Sequence, residues 1–143
     1  MITRNATARW EGDLPKGNGT MNLPNGRFEG PYTFASRFES GKGTNPEELI
    51  GAAHAGCFSM ALANTIAKAG NTPNRIETTA TVHLDKDKGK IVKVELEVNG
   101  DVPGIDAEAF QKFAEDAKTN CPVSKSINAE IVVKAKMAPK AAA

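Results

Sequence analysis

The segment NPEELIGAAHAGCFSMALANTIAKAG, residues 45 to 70, restricts the fold more than any other. Alanine, glycine and apolar side chains dominate it, and the run predicts one long helix. Leu49, Ile50, Ala53, Phe58, Met60, Leu62 and Ile66 leave almost no polar stripe. A helix that apolar must be covered on most sides. Asn45 suits the N-cap, Pro46 the first helical position, and Glu48 the acidic corner of a capping box. A single chain of 143 residues offers limited cover for such a helix, so a second copy is expected to bury part of it.

The flanking segments predict strands. Thr7 to Trp10 and Thr20 to Leu23 lead into Asn25-Gly26, a strong hairpin signal. Residues 27 to 39 read as a further strand with Tyr32, Phe34 and Phe38 as apolar points. Later, Ile76, Thr78, Ala80, Val82 and Leu84 alternate along residues 75 to 84, and Val92, Val94, Leu96 and Val98 along 91 to 98. The charged turn DKDKGK joins them into a meander with one wet face. Asp106 can cap a second helix from Ala107 to about Lys118, with Phe110, Phe113, Ala114 and Ala117 inward. CPVSKSI reads as a short helical turn, EIVVKAKM as a last strand, and residues 138 to 143 as a disordered tail. The order βββ-α-ββ-α-β predicts an α+β fold in one domain, residues 1 to 143, with antiparallel sheets packed on a long central helix.

A net charge of +1 and the absence of any basic run argue against nucleic acid or a membrane surface as partner. MITRNATARW lacks the apolar core of a secretory signal, and no apolar stretch reads as bilayer-spanning. The expected compartment is the cytoplasm, where thiols stay reduced. The two cysteines, Cys57 and Cys121, are then either inert packing residues or redox-active ones.

Burial in an apolar helix suppresses the thiolate of a cysteine. Cys57 lies about three turns from the helix start, beyond the reach of the dipole, so a reactive Cys57 needs a separate cation. Cys121 precedes Pro122 and falls at the N-cap of the CPVSKSI turn, a partly exposed position near free N–H groups. It is either a mobile reactive thiol or a simple loop cysteine. Glu47 by itself is an ordinary first-turn acid, and Arg37 an ordinary surface arginine. His54, one turn before Cys57, can act as a base or serve in packing or a polar contact. His54, Cys57, His83 and Cys121 lack the close cysteine pair of a structural zinc site, so no metal is expected. Phe34, Phe58 and Trp10 can line an apolar pocket or belong to the core.

The stretches RFESGKGTNPEELIGAAHAGCFSMAL and NCPVSK, with ARWEGD near the start and VPGID before the second helix, resemble the osmotically inducible protein C / organic hydroperoxide resistance (OsmC/Ohr) family. The similarity covers essentially the whole chain and is nearer the osmotically inducible branch, because RFE precedes GTNPEELIGAAHA. It implies an intertwined homodimer and a thiol peroxidase that reduces organic hydroperoxides without metal or flavin. By position Cys57 corresponds to the peroxidatic cysteine, Cys121 to the resolving cysteine, Arg37 to the activating arginine and Glu47 to the glutamate that holds it. Arg9 and Arg27 remain alternatives, since the organic hydroperoxide branch draws its arginine from an earlier loop. The implied reductant is a dihydrolipoyl dithiol. Rival readings are a redox sensor, or a ligand-binding dimer with no peroxidase turnover.

Ten residues separate Glu47 from Cys57, about 15 Å at a helical rise of about 1.5 Å. An arginine tied to Glu47 can hardly touch Cys57 of the same straight helix. Either Arg37 and Glu47 of one subunit serve Cys57 of the other, or the helix is broken between them.

Overall fold

A computed structural model describes residues 1 to 137. The expected tail, residues 138 to 143, lies outside the described residues. The chain divides into two compact units, Met1–Leu49 and a second that begins at Ile50.

The first unit contains a three-stranded antiparallel sheet in the order β1 (Thr7–Glu11), β2 (Asn18–Leu23), β3 (Phe28–Tyr32). Thr7 pairs with Asn22, and Leu23 with Phe28. The β2–β3 connection is the expected tight turn. Asn25 and Gly26 both have positive φ, 62° and 67°, which Asn and Gly tolerate best.

The strand expected over residues 27 to 39 stops at Tyr32, and Phe34–Phe38 forms a short helix, α1. Local chemistry explains the difference. The Ser36 N–H donates to the Thr33 hydroxyl at 3.1 Å and the Thr33 N–H donates to the Ser36 hydroxyl at 2.8 Å, a reciprocal cap. Phe34 and Phe38 then stand one turn apart, with ring centroids 4.9 Å from each other. The alternation of apolar residues was a poorer guide than the Thr33–Ser36 spacing.

The second unit is built on α2, which starts in the first unit and runs unbroken over Pro46–Lys68. β4 (Arg75–Asp85) and β5 (Lys90–Asp101) form the expected antiparallel meander, and β4 alternates exposed and half-covered residues along most of its length. α3 (Ala107–Asn120) and α4 (Pro122–Ser126) follow, then β6 (Glu130–Met137). β6 lies parallel to β5, with Lys93 opposite Glu130, so this sheet is mixed rather than purely antiparallel. The two helices carry the chain back along the sheet, as any parallel pairing requires.

Phe58, Leu62 and Ile66 of α2 pack with Val94, Leu96 and Val98 of β5 and with Phe110, Ala114 and Ala117 of α3. The Phe110 ring fills the space a Cβ would need at Gly100, so that strand position must stay bare.

Two expectations about α2 change. At 23 residues it is long and apolar enough to cross a bilayer; yet Phe58, Leu62 and Ile66 are fully buried inside the protein, which makes it a core helix. Within one chain only the stripe Gly51, His54, Phe58, Leu62, Ile66 is buried. Ala52, Ala53 and Gly56 are exposed, and Met60 is 77% exposed.

Candidate active site

The first unit presents a cation on a rigid mount. The Ser36 hydroxyl donates to the Thr44 carbonyl at 2.7 Å, tying α1 to the entry of α2. Asn45 caps α2: its Oδ1 accepts from the Glu48 N–H at 2.8 Å, while its Nδ2 donates to the Glu48 carboxylate at 2.8 Å and the Ser36 carbonyl at 3.0 Å. Glu48 thereby takes the capping role, and Glu47 is free for another.

Glu47 accepts from Arg37. Nη2 donates to Oε1 at 2.7 Å, and Nε lies 3.2 Å from both carboxylate oxygens. The pair occupies one edge of the guanidinium fork and leaves Nη1 to act elsewhere. The Glu47 side chain is 12% exposed, against 37% for Arg37, so the carboxylate is the covered partner. The guanidinium carbon sits 5.2 Å from the Phe38 ring centroid. Trp10, Leu14, Tyr32 and Phe34 complete a shallow cleft of about 220 Å³ with Arg37 and Phe38. Arg9, by contrast, makes a largely exposed 3.5 Å pair with Glu11. Of the three aromatic residues left open between core and pocket, Phe34 and Trp10 line this cleft and Phe58 belongs to the core.

The second unit holds both thiols. Cys57 is half-buried on α2, with its sulfur 2.9 Å from that of Cys121. Cys121 occupies the junction of two helices: its N–H closes α3 on the Ala117 carbonyl at 2.9 Å, and its sulfur caps α4 by accepting the Ser124 N–H at 3.5 Å. Pro122 stands at the first position of α4, as the sequence predicts. The expected partial exposure does not hold, because Cys121 is fully buried. The turn folds inward and joins the α2–α3 core.

The two sulfurs have opposite electrostatic surroundings. Burial, then the hydrogen bond with Cys121, pushes the Cys57 thiol up, against a single opposing donor, the Val123 N–H. Burial also opposes ionisation of Cys121, but hydrogen bonds from Cys57, the Ser124 N–H and hydroxyl, and the Val123 N–H outweigh it and lower its pKa. The proton shared by the two sulfurs lies on Cys57, because the donors converge on Cys121. Within the second unit, the groups that act on Cys57 are Cys121 and the Val123 N–H, and neither is the cation its activation requires.

His54 does not act on Cys57. Its Nε2 lies 2.7 Å from the Ser124 hydroxyl, and both residues are buried. Burial lowers the His54 pKa. The polar-contact reading therefore describes it, and its partner Ser124 was not singled out in the sequence. Its signal was its place three residues after an N-capping cysteine. His83 stands on β4, 3.2 Å from Glu95. Beside Cys57 an open groove of about 960 Å³ is lined by Met60, Ala61, Asn64, Asp116 and Pro122, among others.

The OsmC-like protein family matches residues 39–136. Peroxiredoxin OsmC of Escherichia coli is 51% identical over 135 residues, 92% of this chain and 94% of that protein. Organic hydroperoxide resistance protein OhrB of Bacillus subtilis is 32% identical over 143 residues, 94% of this chain and 96% of its own. The crystal structure of OhrB from B. subtilis aligns with a TM-score of 0.66 at 27% identity, covering 92% of this chain and 98% of that one. An organic hydroperoxide resistance protein from Elizabethkingia anophelis aligns at 0.69 and 26% identity, over 96% and 99%. Two free thiols 2.9 Å apart, a carboxylate-held arginine and this agreement in sequence and fold converge on one assignment: the chain belongs to the OsmC-like protein family.

Proposed function

We propose that this protein is a thiol-dependent peroxidase that reduces organic hydroperoxides, with Cys57 as the peroxidatic cysteine and Cys121 as the resolving one. The observation that carries the reading is the 2.9 Å separation of the two sulfurs, which lets a disulfide form with little movement. The Cys57 thiolate attacks the distal peroxide oxygen, the O–O bond breaks, and the alkoxide leaves to be protonated as the alcohol. Cys57 is then a sulfenic acid. Cys121 attacks its sulfur, hydroxide departs and is protonated to water, and a Cys57–Cys121 disulfide remains. A dithiol, of the dihydrolipoyl type, restores both thiols by exchange.

The first step needs a cation beside Cys57. We assign that cation to Arg37, held by Glu47, and place both in the partner subunit of a homodimer. Three facts support this. α2 is unbroken over Pro46–Lys68, so the option of a broken helix falls away. A straight helix sets Glu47 about 15 Å from Cys57 along its axis. Finally, the face of α2 bearing Ala52, Ala53, Gly56 and Met60 is exposed in one chain, and an apolar helix face seeks cover. A guanidinium stays charged on burial, stabilises the thiolate and donates to the peroxide oxygens as charge gathers on the leaving one. The aromatic cleft around Arg37 suits an organic hydroperoxide better than hydrogen peroxide. A reducing cytoplasm suits such a cycle.

The test is consumption of tert-butyl or cumene hydroperoxide with a dithiol present. Wild type should turn over repeatedly and Cys57→Ser not at all. Turnover by Cys57→Ser at the wild-type rate would overturn the assignment.

A further inference from the structure

His54 and Ser124 form a buried polar pair inside an otherwise apolar core, and the proposed peroxide chemistry leaves them without a task. Such a pair costs desolvation and is kept only where its hydrogen bonds are satisfied. The Nε2–Oγ distance is 2.7 Å, yet Nδ1 of His54 has no hydrogen-bond partner among the described residues.

That orphan nitrogen fixes the tautomer. Were Nδ1 protonated, a buried N–H would lack any acceptor, the rarer and costlier kind of vacancy. The proton therefore belongs on Nε2, which donates to Ser124 Oγ. The bond to His54 fixes Ser124 in place beside the Cys121 sulfur. The backbone N–H of the same residue lies 3.5 Å from that sulfur. His54 thus holds Ser124, and the Ser124 N–H holds the Cys121 sulfur, 2.9 Å from that of Cys57.

We propose that His54 is a positioning residue for the resolution step: by donating to the Ser124 hydroxyl it keeps the Ser124 N–H on the Cys121 sulfur, holding that sulfur ready to attack oxidised Cys57. This rests on the peroxidase reading for its purpose, though not for its chemistry. In the step served, the Cys121 thiolate forms the S–S bond, the S–O bond of the Cys57 sulfenic acid breaks, and hydroxide leaves and takes a proton to become water. The electron pair of the new S–S bond comes from the Cys121 thiolate, and the pair of the S–O bond leaves with hydroxide. Without that hold, Cys121 competes less well with a second peroxide, which carries Cys57 on to the sulfinic acid. The lowered pKa of the Cys121 thiol and the neutral state that burial favours in His54 are in keeping with this direction of donation.

Two measurements test it. In a Cys57→Ser background, the thiolate absorbance of Cys121 is titrated with and without a change at His54. His54→Leu should raise the Cys121 pKa by about one unit, the loss of one hydrogen bond to a charged acceptor. His54→Gln, whose amide nitrogen can replace Nε2, should restore most of the shift. Ser124→Ala should match His54→Leu, and Ser124→Thr should match wild type. In the chain with both cysteines, the ratio of disulfide to Cys57 sulfinic acid after excess peroxide, read by mass spectrometry, should fall about tenfold in His54→Leu and recover in His54→Gln. An unchanged Cys121 titration in both His54→Leu and Ser124→Ala would overturn the proposal, as would equal loss in Leu and Gln variants that remain folded. A chain whose Cys57 takes up no oxygen from hydroperoxide would sink the peroxidase reading alone, because the Cys121 titration needs no peroxide.

Discussion

The entry of α2 and its centre solve opposite problems. At the entry, Arg37 and Glu47 keep their charges within reach of solvent, and a net of caps from Thr33, Ser36 and Asn45 aims them. At the centre, Cys121, His54 and Ser124 are buried beside a half-buried Cys57 and communicate through short hydrogen bonds. The entry carries a cation with no thiol to activate. The centre carries two thiols, of which the one proposed to meet peroxide has its pKa raised by burial. Neither half performs the proposed chemistry alone.

The comparison breaks most completely at Cys57. Cys57→Ser should abolish hydroperoxide turnover, whereas Cys121→Ser should still consume one equivalent and then accumulate sulfinic acid, as read by mass spectrometry. Arg37→Met should come next, with Cys57 oxidation by tert-butyl hydroperoxide slowed about a hundredfold in stopped flow, the scale of one lost charge-stabilising donor. The sign with pH follows from the raised Cys57 thiol. Lacking its cation, the variant should gain rate steadily as pH rises through and above the ordinary thiol range near 8.5, while wild type should already be level at neutral pH. A wild-type pH profile in Arg37→Met would mean that another cation activates Cys57.

Smaller effects sharpen the contrast. Phe58→Ala, at the buried centre, should cost about 3–5 kcal/mol in a urea melt. Asn45→Ala, at the entry, should cost about 1 kcal/mol, the value of one helix cap. His54 supplies a pH signature that belongs to the centre only. Its folded pKa is lowered by burial, so its contribution to stability is fully present above the ordinary histidine value of about 6.5 and is lost as pH falls below it. The urea midpoint should drop on acidification below about pH 6.5, and less so in His54→Gln.

What the sequence revealed differs between the same two regions. The centre was legible where it obeyed a period. The apolar run of α2, the alternation along β4 and β5 and the Asp106 cap of α3 each carry their own local signal. Cys121 at the start of a turned helix was readable from Pro122, but its burial was not, because burial depends on how α3 and α4 close over α2. The parallel seating of β6 was hidden for the same reason: pairing direction is a property of the crossover, not of EIVVKAKM. At the entry, Asn45, Pro46 and Glu48 announced the cap. α1 was missed because Phe34 and Phe38 suggested a strand, while the deciding residues, Thr33 and Ser36, are polar and act on the backbone. The pairing of Arg37 with Glu47 came into view only through family resemblance, since ten residues of separation carry no local signal.

The central claim is that the cation of one subunit serves the thiol of another, and mixed dimers test it most directly. Arg37→Met chains, about a hundredfold slowed alone, and Cys57→Ser chains, inactive alone, are co-expressed with different tags, and the heterodimer is isolated and assayed for cumene hydroperoxide turnover. Service across the dimer predicts one complete site per heterodimer and about half the wild-type rate, since one of the two sites is intact. A heterodimer no faster than its parents would contradict the account, for then each arginine would act only on the cysteine of its own chain.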